Sequence, residues 1–187
     1  MHRARYFSWA HQPDQPEARA ALQSAMRTLA AAASSPFQQL SNSLYAETRQ
    51  MLERLDDAAE QQSTGNISLE HIQAWLLLAH YEFMRMPHRR AMMTAGRVFR
   101  MVQVALLHDV YEPDMALGDF GADPNTSWVE MEEKRRTFWV AYCLDRCIGL
   151  HERCPLTFHE DGVRLPFLSI LFCKQTSTQE LTKHTHP

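Results

Sequence analysis

Several features that define common protein classes are scarce or missing in this chain of 187 residues. Basic residues do not outnumber acidic ones: 19 lysines and arginines stand against 22 aspartates and glutamates, for a formal net charge of −3. Because phosphate backbones are bound through clustered positive charge, this balance argues against nucleic-acid binding through a basic surface. The longest apolar stretches, residues 75–79 and 167–173, fall far short of the ~20 residues of a membrane-spanning helix. We therefore expect no membrane contact.

Cysteines are also few, and their spacing does not suit a metal site. Cys143, Cys147, Cys154 and Cys173 all lie in the last third of the chain, whereas a secreted disulfide scaffold has more cysteines along its whole length. We therefore expect reduced thiols in an intracellular protein. Cys143, Cys147 and His151 would share one helix face, but the third ligand would lie about 12 Å along the axis, too far for one ion. This spacing predicts buried, packed thiols, no metal ligands and no cofactor on this chain.

Catalytic patterns are missing as well. The chain has only six glycines, spread thinly, and no glycine-rich loop that could hold a phosphate. No serine lies in a Gly-x-Ser-x-Gly turn, and no two histidines have the His-Glu-x-x-His spacing. These absences predict that the chain is not an enzyme and has no catalytic residues.

Helical periodicity, by contrast, is present over most of the chain. Apolar residues make up 45% of the sequence, which is enough for a folded core. They recur in steps of three and four, as one buried helix face requires, and no stretch alternates as a strand would. The sequence predicts an all-α fold, an antiparallel bundle or array of about five main helices with an irregular C-terminal tail.

Caps and breaks separate these predicted helices. A Ser35 cap begins the second helix and places Phe37 and Leu40 on its buried face. Ser68 caps the third, which is the most strongly patterned and is predicted to be central. The short connection at Pro87 makes the third and fourth helices antiparallel neighbours. A glycine-containing and proline-containing loop is predicted at 113–127. The periodic segments are residues 17–33, 37–58, 69–86, 92–106 and 128–150.

The last helix carries the most informative residues. Acidic residues crowd its start and basic ones follow, which suits the helix dipole and allows ion pairs one turn apart. Phe138, Ala141 and Ile148 share an apolar face, and Asp145 falls within it. A carboxylate in an apolar stripe needs a charged or hydrogen-bonding partner. We predict that Asp145 pairs with an arginine from another helix or with backbone donors, in a structural role.

This helix also resembles a known family signature. Residues 133–139, read together with Asp145-Arg146, are similar to the signature of the fungal-specific transcription factor domain, the regulatory middle region of Zn2Cys6 zinc-cluster transcription factors. Segments 5–11, 34–55, 68–79 and 95–100, and the turn at 155–156 followed by 165–166, resemble parts of that domain in the same order. The resemblance covers residues 5–166 and marks the signature residues Arg135, Arg136, Phe138, Trp139, Asp145 and Arg146.

The resemblance implies a function, a location and partners. Such a domain tunes RNA polymerase II transcription through contacts with protein partners, including another transcription factor subunit, and a small-molecule effector is also implied. The nucleus is the implied location; without the resemblance, the cytoplasm is expected. Full-length relatives read DNA through a separate N-terminal cluster of six cysteines, where zinc is expected. No cysteine precedes Cys143, so we expect no direct DNA binding by this chain.

The sequence predicts three segments in the chain and leaves two alternative functions open. We expect an N-terminal segment at 1–16, a partial regulatory domain at 17–166, and an atypical, disordered tail at 167–187. The departure from the family pattern after Pro166 predicts a truncated product. The alternatives are a generic helical protein-interaction module without a transcriptional role and a small-molecule-sensing helical domain.

Overall fold

The computed structural model of this chain describes residues 6–7, 9–10, 15–61, 67–109 and 128–159. Within these residues it contains five long α-helices and no strand, so the predicted all-α class is confirmed. The helices are α1 (Glu17–Ala33), α2 (Ser41–Gln61), α3 (Leu69–Arg85), α4 (His88–Val104) and α5 (Trp128–Glu152), with 3-10 turns at Ser35–Leu40 and Leu107–Asp109. No described helix is both long enough and apolar enough to cross a membrane. The predicted loop at 113–127 and tail at 167–187 lie outside the described residues.

Helix α3 is the centre of the packing, as its sequence predicts. It contacts all four of the other long helices. Its Trp75 is 1% exposed, and the guanidinium of Arg97 from α4 lies 4.9 Å from the centroid of that ring. A cation over an aromatic face is attracted by the ring quadrupole, which ties α4 to α3. The core around α3 includes Leu22, Leu52, Ile72, Leu78, Val98 and Phe138.

Small and hydroxyl-bearing residues join α1 to α2. The hydroxyls of Ser24 and Thr28 lie 2.8 Å and 3.0 Å from that of Thr48. Thr28 also donates to the Ser24 carbonyl at 2.9 Å, and Thr48 donates to the Leu44 carbonyl at 2.7 Å. Each hydroxyl proton therefore has an acceptor: Ser24 donates to Thr48, and Thr28 and Thr48 donate to carbonyls of their own helices. These hydrogen bonds offset the penalty of burying the hydroxyls.

The start of the second helix differs from the sequence prediction. Residues Ser35–Leu40 form a 3-10 turn, and the α-helix begins only at Ser41. A 3-10 turn has three residues per turn, fewer than an α-helix. Its side chains therefore point in other directions than they would in an α-helix that begins at Ser35. Phe37 and Leu40 are consequently 57% and 55% exposed. The fully or nearly fully buried residues of α2 are instead Ser41, Tyr45, Thr48 and Leu52.

Helices α3 and α4 form the predicted antiparallel hairpin. Only two residues, including Pro87, separate them. Phe83 near the end of α3 contacts His88 at the start of α4, with ring centroids 6.5 Å apart. The contact between Trp75 and Arg97 joins an earlier residue of α3 to a later residue of α4. The chain therefore reverses direction at Pro87.

The end of α4 differs from the predicted apolar face. The helix ends at Val104, and Leu106 adopts a left-handed backbone conformation with φ of 52°. Leu106 is 61% exposed, whereas the next residue, Leu107, is 3% exposed. A left-handed residue at a helix end reverses the chain and changes which side chain points inward. The prediction that Leu106 continues the buried face is therefore wrong.

Helix α5 packs on α4 and on the Leu107–Asp109 turn. Its buried face includes Phe138, Ala141, Asp145 and Ile148, as the sequence predicts. Gln73 of α3 donates to the hydroxyl of Thr137 at 3.0 Å. The residues that resemble the family signature therefore lie on a helix held by contacts with α3 and α4.

Candidate functional site

Asp145 is the buried polar centre of α5. Asp145 is only 3% exposed. One carboxylate oxygen accepts hydrogen bonds from the backbone N–H groups of Thr157 at 2.9 Å and Phe158 at 3.0 Å, and the other oxygen lies 3.1 Å from the Thr157 nitrogen. The prediction that Asp145 pairs with backbone donors is confirmed. Asp145 thereby attaches the segment after α5 to the helix itself.

Arg146 holds the same segment from the next position. Its guanidinium donates to the Phe158 carbonyl at 2.8 Å and to the Tyr142 hydroxyl at 2.8 Å. It also lies 3.4 Å from Asp145, so the arginine beside this carboxylate comes from the same helix and not from another one. We call Asp145, Arg146, Thr157 and Phe158 the aspartate clamp. In this clamp the Asp145 carboxylate accepts from the backbone N–H groups of Thr157 and Phe158, and the Arg146 guanidinium donates to the Phe158 carbonyl.

The clamp places Phe158 inside a cluster of aromatic rings. Phe158 is 4% exposed, and its ring meets Phe99 of α4 at 5.3 Å and Phe138 of α5 at 5.6 Å, both edge to face. Edge-to-face pairs contribute about 0.5–1.5 kcal/mol beyond the burial of their area. The signature residues Phe138, Asp145 and Arg146 are therefore brought together around Phe158.

Arg135 and Arg136 lie apart from the clamp, near the start of α5. Both pair with Glu132, at 2.5 Å from an Arg135 nitrogen and 2.6 Å from an Arg136 nitrogen. Burial acts to raise the pKa of Glu132, but hydrogen bonds from Arg136 and Arg135 outweigh it, so the pKa lies below its ordinary value of 4.5. These two signature arginines form an ion-pair network within the helix.

Trp139 is the signature residue that borders a groove. The groove has a volume of about 540 Å³ and lies between the α3–α4 hairpin and α5. Cys143 and Cys147 are exposed in it, so the prediction of buried thiols is wrong for these two residues. They lie on the side of α5 away from Phe138, where the helix faces the groove and not the core. The groove is lined by His80, Phe83, His88, Trp139, Val140, Cys143, Leu144, Cys147, Ile148 and His151.

A second buried carboxylate, Glu82, is missing from the residues that the sequence predicts. It is 0% exposed and accepts from the Tyr45 hydroxyl at 2.6 Å and from Arg49 at 2.8 Å. Burial, and then the hydrogen bond to Glu82, raise the pKa of Tyr45 above its ordinary 10.0. The available signal was the spacing of Trp75, Ala79 and Glu82, which puts a carboxylate in an apolar stripe as at Asp145.

Comparison with known proteins assigns this all-helical chain to a class. The model of the family described as "Fungal specific transcription factor domain" matches residues 1–186, so the chain belongs to that family and the resemblance seen in its sequence is confirmed. The match extends beyond residue 166, where the sequence pattern places the domain boundary. That boundary stays a prediction. No solved structure matches the chain.

Its curated relatives are named as transcription factors of particular pathways. The chain is 42% identical over 167 residues to the azaphilone cluster-specific transcription factor azaR of Aspergillus niger, covering 89% of this chain and 36% of azaR. It is 43% identical over 163 residues to the pigment biosynthesis transcriptional activator pigB of Monascus ruber, covering 87% and 29%. It is 43% identical over 183 residues to the asperfuranone cluster transcription factor afoA of Emericella nidulans, covering 90% and 27%. The chain thus spans roughly a third of the length of these relatives.

Proposed function

We propose that this chain is the regulatory part of a pathway-specific transcription factor that controls fungal secondary-metabolite genes. Three relatives are named for an azaphilone cluster, pigment biosynthesis and an asperfuranone cluster. Between 87% and 90% of this chain aligns with them at 42–43% identity. That similarity along the regulatory domain is the observation that carries the proposal. The activity of the whole protein is part of the proposal, because the chain spans only a fraction of each relative.

Regulation in this proposal works through protein contacts in the nucleus, without catalysis and without DNA contact by this chain. The groove between the α3–α4 hairpin and α5 supports such contacts, because apolar grooves between helices receive amphipathic helical segments. The aspartate clamp acts indirectly in this proposal. It fixes the helix that forms one wall of the groove, and Phe158 packs behind that wall.

A reporter assay tests the proposal. The full 187-residue chain is fused to an unrelated DNA-binding domain in a fungal host, and transcription from its binding sites is measured at matched protein levels. The fusion should change transcription several-fold relative to the DNA-binding domain alone. Asp145→Asn should remove that change, whereas Asp57→Asn, at an exposed position of α2, should keep it. A wild-type fusion that leaves the reporter unchanged would contradict the proposal.

A second candidate function is the sensing of a small metabolite in the same groove. The groove volume of about 540 Å³ falls within the range of small-molecule sites, and its lining combines two aromatic side chains with a few polar groups. Trp139 and Phe83 supply the aromatic surface, and His80 and His151 supply the polar groups. A metabolite bound there would contact the signature helix directly.

Thermal unfolding with defined compounds tests this second candidate. The probes are citrinin and an azaphilone, compound classes that appear in the names of relatives. Binding should raise the Tm of the full chain, and Cys147→Trp, which fills the groove, should abolish that rise. Met93→Trp is the matched control, because Met93 is 73% exposed and does not line the groove. An equal rise in both variants would place the binding elsewhere.

A further inference from the structure

Three potential metal ligands meet where the start of α4 approaches the end of α5. His88 Nδ1 lies 3.1 Å from Glu152 Oε1, and His151 Nδ1 lies 2.9 Å from the same oxygen. The two imidazole rings stack with centroids 5.3 Å apart. One ligand atom from each of the three residues lies within 4.8 Å of the other two. His151 and Glu152 are adjacent in the sequence, and the packing of α4 against α5 brings His88 to them.

The chemistry of this set favours a borderline divalent metal ion. Two imidazoles and one carboxylate are a known three-ligand set for Zn²⁺, with a water in the fourth position. Ligands at about 2.0–2.1 Å from a tetrahedral ion lie roughly 3.3 Å from one another. The two nitrogen-to-oxygen distances from Glu152, 2.9 Å and 3.1 Å, are already close to that value. His88 and His151 have side chains that are 56% and 72% exposed, so their rings can rotate onto an ion at little cost.

We propose that His88, His151 and Glu152 bind a zinc ion that links α4 to α5 at the end of the groove. The site uses neither Cys143 nor Cys147, although both lie on α5 with His151 and Glu152. Cys147 lies one turn before His151 and lines the same groove, but it is not among the three residues whose ligand atoms converge. Hard ions such as Mg²⁺ prefer oxygen ligands and should bind this site poorly. Zinc would cross-link two helices that otherwise meet here through two exposed histidines and the half-buried Glu152.

Calorimetric titration of the full chain with zinc chloride, in a non-thiol reductant, tests the proposal. One equivalent of zinc should bind, and magnesium chloride should give no comparable heat. At about 100-fold excess of free zinc over its Kd, the Tm should rise by roughly 5 °C or more. His88→Ala, His151→Ala and Glu152→Gln should each weaken binding by about 10-fold or more. His159→Ala, at another exposed histidine, should keep the wild-type affinity.

Two further variants separate this site from other zinc-binding groups. Replacing all four cysteines by serine should leave the affinity for zinc unchanged, because the site has no thiol ligand. Replacing His184 and His186 by alanine should also leave it unchanged. Loss of binding in either variant would overturn the proposal, as would the absence of binding to the wild-type chain or equal affinity in the His88→Ala variant. Circular dichroism of each variant establishes that the helices are retained.

Discussion

Asp145 and Glu82 are carboxylates in apolar surroundings, and each is stabilised in a different way. Asp145 accepts hydrogen bonds from two backbone N–H groups of the segment that follows its own helix. Glu82 accepts from the side chains of Tyr45 and Arg49, which both come from α2. A buried charge without such partners would carry a large desolvation penalty. At the residue scale, each carboxylate therefore fixes a contact between parts of the chain that would otherwise only pack.

Replacing Asp145 should destabilise the fold in proportion to the acceptors lost. Asp145→Ala leaves the N–H groups of Thr157 and Phe158 without their acceptor, and we expect the free energy of unfolding to fall by about 3 kcal/mol. Asp145→Asn keeps one carbonyl acceptor and should lose about 1–2 kcal/mol. Urea unfolding measures both values. Asp57→Asn should change little, and equal stability of the wild type and Asp145→Ala would contradict a buried, hydrogen-bonded carboxylate.

Tyr45 and Glu82 should be energetically coupled. Tyr45→Phe removes a hydrogen bond to a charged acceptor and should lower the free energy of unfolding by about 1.5–3 kcal/mol. Glu82→Gln removes the charge that also holds Arg49. Because both changes act on one network, the double variant should lose less than the sum of the single losses, with a coupling energy of about 1 kcal/mol. Additive losses in urea unfolding would show that the two side chains do not depend on each other.

At the element scale, the ion pairs at the start of α5 should depend on pH. The pKa of Glu132 in the folded protein lies below its ordinary 4.5. Its ion pairs are therefore fully stabilising above pH 4.5, and they are lost as the pH falls through the lowered pKa of the folded state. The stability difference between the wild type and Glu132→Gln should be largest near pH 7 and shrink towards pH 3. A difference that stays constant in urea unfolding across this range would contradict the assignment, and Glu47→Gln on α2 controls for the loss of one exposed carboxylate.

The end of α4 should become more stable with glycine at residue 106. Leu106 has φ of 52° and is 61% exposed, so its side chain gains little from burial while its backbone is strained. Glycine adopts left-handed conformations readily, and Leu106→Gly should raise the free energy of unfolding by about 1 kcal/mol. Leu106→Ala keeps the Cβ and should give no such gain. If both variants lose stability in thermal unfolding, the exposed leucine side chain contributes more than the strain removes.

The positions of the helices follow from local sequence patterns, and the helix ends that are predicted wrongly have local causes. Helix α1 has the bounds that its apolar stripe predicts, and Ser68 caps α3 by accepting from the His71 N–H at 3.3 Å. The start of α2 could not be placed in the same way, because cap-like serines and Pro36 suit both a 3-10 turn and an α-helix. The hydroxyl of Ser41 donates to the Gln38 carbonyl at 2.7 Å and helps end the 3-10 turn. That contact is not visible in the periodicity of the sequence.

At the scale of the whole molecule, sequence distance decides which parts of the candidate site could be predicted. The partners of Asp145 lie only 12 and 13 residues further along the chain, and its position in an apolar stripe already requires a partner. His88 and Glu152 become neighbours only because α4 and α5 pack together, and no pattern within either helix indicates that contact. The groove likewise exists only between helices. Local periodicity can therefore predict that a buried charge is paired, but not a site built across two helices.

The packing of the helices predicts that α5 can loosen without unfolding of the other long helices. Phe158 is 4% exposed and joins α5 to α4 through Phe99 and Phe138, whereas α1 and α2 pack on α3 and on each other. Phe158→Ala should lower the free energy of unfolding by about 3 kcal/mol. Amide hydrogen exchange should become faster mainly in α5 and in the segment after it. Phe37→Ala, at a residue that is 57% exposed, should leave exchange unchanged. If Phe158→Ala speeds exchange equally in all five helices, the chain unfolds as one cooperative unit, and loosening of α5 alone cannot expose the groove to a partner.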